Sequence, residues 1–467
     1  MKNQPTIVVL DCGSPRTMDI ARRVREMRVY SEVVDASISA DELQRLNPAG
    51  LILSGAAKDA AAGGLPVADL RLFDLGLPVL AIGTAARQLP RGRPPKGSAA
   101  GADSDPGLAA VATGKRRLYR ALFEPEDVNS AAAKVALRHF VRRICGCRGS
   151  WTPRAYVKQT VEALRRQVGD AQVVCGLSGG VDSAVTAVLL HKAIGDQLTC
   201  IFVDNGLLRL NEADDLMKVF AERLQMRIRR VDAVDHFLQH LAGVTDPETK
   251  RKIIGHEFIT IFKREAQSLP DARFLAQGTL YPDVLESLGI GKHGQVIKSH
   301  HNVGGLPAEL GFELVEPLKM LYKDEVRAIG RELGMDDNML WRQPFPGPGL
   351  AVRCLGEITR EKLDILRAAD AVVTAEIRAA GWYRRVWQSF AVLLPIRSVG
   401  MKGVERSYDY TCVIRAVHSS DGMSANWVRL PHKLVARISE RITSEVAGIN
   451  RVVLDVTSKP PSTIEWE

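Results

Sequence analysis

Nowhere in the 467 residues do eighteen apolar residues run together, so no segment is a candidate for a membrane-crossing helix. The opening Met1-Lys2-Asn3-Gln4-Pro5 has no signal-peptide pattern, and the chain is expected to be cytoplasmic, with no membrane partner. Cysteine is sparse and scattered: Cys12, Cys145, Cys147, Cys175, Cys200, Cys354 and Cys412. Only Cys145 and Cys147 are close, and Cys-x-Cys without a second cluster is poor zinc spacing, so these are read as structural or incidental thiols. Long basic runs are also missing. The net charge of +9 is spread out, with only short clusters such as Lys115-Arg116-Arg117 and Lys250-Arg251-Lys252. That distribution reads as a solvated basic surface with a few phosphate contacts, and no nucleic-acid partner is expected. No internal repeat is found.

What remains is ordinary for a globular chain: 46% hydrophobic and 25% charged residues, with a length that exceeds one core and calls for two to four domains. The apolar run Thr6-Ile7-Val8-Val9-Leu10-Asp11-Cys12 reads as a buried strand. An amphipathic helix follows through Ile20-Ala21-Arg22-Arg23-Val24-Arg25. Two further apolar runs end in Gly55 and Gly83, and strand–helix alternation of this kind predicts a parallel α/β sheet. Residues 88–114 collapse into Pro, Gly, Ala and Ser and are expected to be a flexible linker. A helix is expected over 130–145. Thr152 and Pro153 then offer an N-cap and a first helical position for a second α/β segment. Strands are expected at 172–176, 199–203, 273–276 and 295–298. Beyond Pro344, strand-like runs at 391–396, 410–417 and 451–456 surround helices near 360–380 and 431–447, a smaller α+β domain.

The chemistry concentrates in Ser178-Gly179-Gly180-Val181-Asp182-Ser183, between the apolar run 172–176 and a helix. Two glycines allow close backbone approach to a phosphate, and the helix N-terminus supplies N–H groups and a positive dipole end. Ser178 and Ser183 add hydroxyls, and Asp182 is a candidate magnesium ligand. The Walker lysine is absent, which favours gripping pyrophosphate over positioning a γ-phosphate. This is the PP-loop pattern, and it resembles enzymes that split ATP into AMP and pyrophosphate. Val203-Asp204-Asn205-Gly206 ends a strand on the nucleotide side of such sheets. Asp283 and Glu286 place two carboxylates three residues apart, before a Gly-rich stretch at 289–294 that reads as a lid. Lys298 supplies a cation. His300-His301 reads as a pair of loop residues rather than a metal site.

Together these segments resemble the GMP synthase family, the glutamine-hydrolysing enzymes that aminate xanthosine monophosphate (XMP). The match runs nearly without gaps over 151–467. The resemblance implies adenylation of XMP by ATP with magnesium, then attack by ammonia to give GMP, AMP and pyrophosphate. By the same resemblance, Ser178, Gly179, Gly180, Val181, Asp182 and Ser183 hold the ATP phosphates and Val203 lines the adenine site. Asp283, Glu286, Lys298 and Lys323 complete adenylation. Gln388, Arg451, Lys459, Ile464 and Glu465 match the XMP site, and the C-terminal part implies a homodimer. Within this region Gln343 stands where the family usually has histidine, His256 where it has arginine, and Val404-Glu405 where it has Asp-Gly.

The first third resembles a class I glutamine amidotransferase only in outline. Gly83 stands where the catalytic cysteine belongs, Ala56-Ala57 replaces the glycine-rich oxyanion loop, and Phe123-Glu124-Pro125-Glu126 puts Glu124 where the histidine base belongs. About seventy residues expected before that segment are replaced by the linker. Thiolate and base are both gone, so no glutaminase activity is expected.

Three modules follow: a degenerate, truncated flavodoxin-like amidotransferase remnant (1–146), a doubly wound PP-loop ATP-pyrophosphatase (147–345) and an α+β dimerisation and XMP-binding domain (346–467). The expected function is an ammonia-dependent C–N ligase, with ammonia free or delivered by a separate glutaminase. The alternatives weighed are a paralogue that aminates an XMP analogue, a PP-loop RNA-modifying protein and a silent scaffold.

Overall fold

The computed structural model describes residues 5–56, 68–90, 107–113, 116–269, 271–289, 311–419 and 422–467. The chain forms two compact units. The first comprises 1–162, 279–300 and 318–332; the second comprises 163–278, 301–317 and 333–467. Residues 279–289 and 318–332 thus separate from the rest of the segment expected as the middle module.

The first unit is built on six strands: β1 Thr6–Cys12, β2 Tyr30–Asp35, β3 Gly50–Gly55, β4 Val79–Ile82, β5 Leu108–Thr113 and β6 Arg116–Ala121. Their order is β2-β1-β3-β4-β6-β5, parallel except for the antiparallel β5–β6 pair. The inner strands are continuously apolar because both faces are covered, as parallel sheets require. β5 corrects one expectation: residues 108–113, read as linker from their Gly/Ala-rich surroundings, pair along the whole of β6. The remainder of 91–106 lies outside the described residues.

Arg25 is also unexpected. It closes the amphipathic helix Thr17–Glu26 yet is 6% exposed. Its guanidinium donates to the Ser31 and Met320 carbonyls and pairs with Glu325 at 3.1 Å. Tyr30, Trp151, Tyr281 and Tyr322 ring it at 4.3–5.5 Å. The helices Tyr281–Ser287 and Lys323–Glu332 are thereby tied to the first sheet, and the Val33 N–H adds a 2.6 Å bond to Tyr281 Oη.

The second unit contains a five-stranded parallel sheet made of β7 Gln172–Gly176, β8 Leu198–Asp204, β9 Ile228–Asp232, β10 Ala272–Ala276 and β11 Glu313–Val315. The order is β11-β10-β7-β8-β9. The chain winds outward from β7 on one side and returns on the other, so a topological switch point falls between β7 and β10. In open α/β sheets this is where ligands bind, beyond the strands' carboxyl ends. A second sheet carries β12 Gln388–Lys402, β13 Glu405–His418, β14 Asn426–Trp427 and β15 Ile449–Leu454. Helices Arg360–Ala379 and His432–Glu445 share a continuous core with both sheets. The β12–β13 hairpin is longer than the apolar runs predicted, and Val404 at its tip is 94% exposed. The strand expected at 295–298 lies outside the described residues.

Candidate functional site

β7 delivers the chain to the switch point, and Gly179 turns it with φ +74°, a conformation costly for any side chain. Helix Val181–Ile194 starts at once with Gly180 as its N-cap, and its first bond runs from the Ala184 N–H to the Gly180 carbonyl at 3.1 Å. The N–H groups of Val181, Asp182 and Ser183 precede that bond and so face outward from the helix end. Ser183 fixes the loop: its hydroxyl donates to the Gly180 carbonyl (3.0 Å), accepts the Ser178 N–H (3.3 Å) and lies 3.0 Å from the Ser178 hydroxyl. From the opposite side of the switch point, Gly278 comes so close that a β-carbon would stand 3.2 Å from the Asp182 carbonyl carbon. The left-handed turn at Gly179 and the close approach of Gly278 leave a cradle lined by backbone, whose outward N–H groups suit a phosphate. Asp182 is the carboxylate in the first helical turn beside it.

A cavity of about 440 Å³ adjoins this loop, lined by Gly179, Gly180, Arg209, Glu212, Arg342 and Arg378 among others. Arg342 donates to the Gly179 carbonyl at 2.8 Å and pairs with Glu212. Burial lowers its pKa to about 10, helped by the neighbouring Arg209 charge, which leaves it cationic at neutral pH. Neither Arg209 nor Arg342 was singled out from sequence, since an isolated arginine carries no signal of the cavity it faces.

The remaining expected positions are distributed as follows. Val203 is 4% exposed and belongs to the core of β8. The Asp204 and Asn205 side chains then fold back on the Gly206 and Leu207 N–H groups. Asp283 and Glu286 share the helix Tyr281–Ser287 in the first unit, where Asp283 Oδ2 accepts the Leu280 N–H at 2.9 Å. Lys323 opens the helix Lys323–Glu332 of that unit. Lys298, His300, His301 and the lid segment beyond Gly289 lie outside the described residues.

Of the five positions expected for XMP, Gln388 and Glu465 are brought together at 2.8 Å. Glu465 also accepts from Nε and Nη2 of the Arg353 guanidinium, each at 2.9 Å, and Arg353 is fully buried. Ile464 packs beside them on Phe390, Val392 and Val413. Lys459 bonds the Gly422 carbonyl at 2.8 Å. Arg451 departs from the group: it is exposed on β15, and its contact is the Ser398 hydroxyl at 3.2 Å. Gln343 is buried, accepting from the Ser389 N–H at 2.8 Å and donating to the Tyr383 carbonyl at 3.1 Å.

In the first unit, Gly83 occupies the strand-to-helix turn after β4 with φ +62°. A β-carbon there would stand 2.4 Å from the Ala56 carbonyl oxygen and 3.0 Å from Pro125 Cγ. The sheet therefore does bring the Gly83 turn beside the segment that carries Glu124. The Thr84 N–H donates to the Ala56 carbonyl at 2.8 Å. Elsewhere in this unit burial pushes the Cys12 thiol up to about 12 and the Cys147 thiol up to about 11, and raises Cys145 as well.

The sheet order and the loop at its switch point define a PP-loop nucleotide-binding α/β protein. Family models match in three segments: glutamine amidotransferase class-I over 8–85, NAD synthase over 154–253 and GMP synthase C terminal domain over 375–466. The chain is 47% identical over 513 residues to the GMP synthase (glutamine-hydrolyzing) of Caldanaerobacter subterraneus subsp. tengcongensis, covering 99% of each. It is 48% identical to the protein of that name from Geobacillus kaustophilus, covering 100% of each. Identity with that of Staphylococcus carnosus is 49%, covering 100% of this chain and 99% of the relative. The chain belongs to the GMP synthase family of carbon–nitrogen ligases.

Proposed function

We propose that this chain adenylates XMP with ATP and aminates it with ammonia to give GMP, AMP and pyrophosphate, without hydrolysing glutamine itself. The observation that carries the second half is the state of the Gly83 turn. Acyl transfer from glutamine needs a nucleophile, its base and N–H donors for the oxyanion. At Gly83 there is no side chain to act as nucleophile, and Glu124 stands where the imidazole base is expected. The N–H of the residue after the nucleophile is a usual oxyanion donor, and here the Thr84 N–H is taken by Ala56. The alignment to the Caldanaerobacter relative spans 513 residues against 467 in this chain, so the relative has segments that this chain lacks. The shortened amidotransferase module is proposed for 1–146, where the class-I amidotransferase model matches 8–85.

For the synthetase half, Ser178, Gly179, Gly180, Val181, Asp182 and Ser183 would hold the ATP phosphates. Asp182 would ligate magnesium, which neutralises phosphate charge when bound. Val203 would border the adenine from within its strand. Asp283, Glu286, Lys298 and Lys323 would serve adenylation. Gln388, Ile464, Glu465 and Lys459 would form the acceptor site, and Arg451, exposed at the sheet margin, would join it from β15. Exposed Ile396, Val399, Met401 and Tyr408 on the β12–β13 hairpin support a homodimer through the C-terminal module. The analogue-aminating alternative is not favoured, given relatives of one name matched along their whole length.

The test is pyrophosphate release by the purified chain with ATP, magnesium and XMP, supplied with either ammonium or glutamine. Turnover with ammonium alone is the expected result. Turnover with glutamine alone would overturn the loss of glutaminase, and none with either would overturn XMP as acceptor.

A further inference from the structure

Helix Val234–Leu241 follows β9 and packs against helix Pro247–Gln267 at the edge of the PP-loop sheet. His236 and His240 are four residues apart and so share one face of the first helix. Glu257 meets them from the second: His236 Nε2 is 2.6 Å from Glu257 Oε2. The two imidazole centroids are 4.3 Å apart, and one ligand atom from each of the three residues lies within 4.8 Å of the others. His240 Nδ1 is 2.8 Å from the His236 carbonyl oxygen. A carbonyl only accepts, so Nδ1 carries the proton and the neutral ring keeps its lone pair on Nε2. This backbone bond orients His240 as outer partners orient metal-bound histidines.

We propose that His236, His240 and Glu257 form a binding site for a divalent transition-metal ion of the zinc class, separate from the nucleotide chemistry. Two imidazoles and a carboxylate suit zinc, whereas magnesium prefers an all-oxygen shell, so the site discriminates against the ion that accompanies ATP. Tetrahedral coordination with bonds near 2.1 Å sets ligand atoms about 3.4 Å apart. The 2.6 Å contact opens and the wider separations close to reach that value. A water completes the fourth position. The bound ion links the two helices across residues 242–246, and a ligand that binds only the folded state raises the melting temperature.

The experiment is equilibrium dialysis of the intact, chelator-stripped chain against zinc chloride with magnesium in large excess, alongside thermal melts. One zinc per chain is expected, with a melting temperature that rises with zinc concentration. His240→Gln and Glu257→Gln should each weaken binding at least tenfold and remove the rise, while His418→Gln leaves both unchanged. Cobalt should give visible d–d bands without thiolate charge transfer. Equal zinc affinity in the native chain and His240→Gln, a thiolate band, or no binding above the magnesium background would each overturn the site.

Discussion

The carbonyl oxygen of Ala56 accepts the Thr84 N–H at 2.8 Å and lies 2.4 Å from where a β-carbon on Gly83 would stand. One oxygen thus fills the place of the missing side chain and occupies the donor beside it. Restoring the nucleophile alone should therefore fail. Gly83→Cys is expected to leave glutamine-dependent turnover absent and to lower stability by about 1–3 kcal/mol, because a side chain at φ +62° is strained and meets backbone. Glutaminase activity and a melting curve decide this. Recovered glutaminase in the single variant would show that the turn opens easily and that only the thiol was missing.

At the PP-loop, Asp182 sits in the first turn of its helix, beside the outward-facing N–H groups. Asp182→Ala should lose pyrophosphate release by roughly 100-fold or more, the scale of removing a charge-stabilising group. The release assay and a melt within a few degrees of the native chain are the readouts. Normal release would remove Asp182 from magnesium binding.

Arg25 joins the first sheet to the helices that carry Asp283, Glu286 and Lys323. Its pair with Glu325 is almost fully buried on the arginine side. Arg25→Ala should destabilise the protein by about 3–5 kcal/mol, since Glu325 is left without its charge partner. Arg25→Lys should recover little of this, because an ammonium lacks the planar fork and the ring stacking. Denaturant titration of both variants tests it, and a fully rescued lysine variant would reduce the interaction to simple charge.

The PP-loop was readable because its groups lie on six contiguous residues between a strongly apolar run and a helix. The expected strands 172–176, 199–203 and 273–276 fall within a residue of β7, β8 and β10 at each end. β9 was missed for the opposite reason: Ile228-Arg229-Arg230-Val231-Asp232 is an edge strand, with side chains reaching water and Arg230 paired to Asp204. β5 was hidden by composition, since Ala109 and Ala110 look like the linker around them and gain their order from β6. Arg25 and Arg353 were unreadable as buried charges, because only the tertiary arrangement supplies Glu325 and Glu465. His236 and His240 show helical spacing in the sequence, but Glu257 arrives from a separate helix.

Glu465 has two possible duties, and they separate experimentally. Arg353 is fully buried and holds Glu465 at 2.9 Å through two nitrogens, so Glu465→Gln removes the charge that balances it. Lower stability is expected, by about 1–3 kcal/mol. A role toward the acceptor base also predicts a KM for XMP at least tenfold higher with little change in the KM for ATP. A fall in melting temperature with both KM values unchanged would confine Glu465 to holding Arg353.

The nitrogen source sets the last expectation. A chain without glutaminase must take up neutral ammonia, because ammonium has no lone pair with which to attack the adenylated carbon. At fixed total ammonium the amination rate should climb as pH rises and the free base becomes more abundant. Recast against free ammonia concentration, the rates should fall on one curve as long as the PP-loop groups keep their charge. A docked glutaminase partner would change this profile: glutamine would support turnover when that partner is added, and the steep rise with pH would flatten because ammonia is released inside the complex. Rates at several pH values, with and without a cell extract supplemented with glutamine, distinguish the two sources. A flat profile with ammonium alone would mean that the attacking nucleophile is not free ammonia.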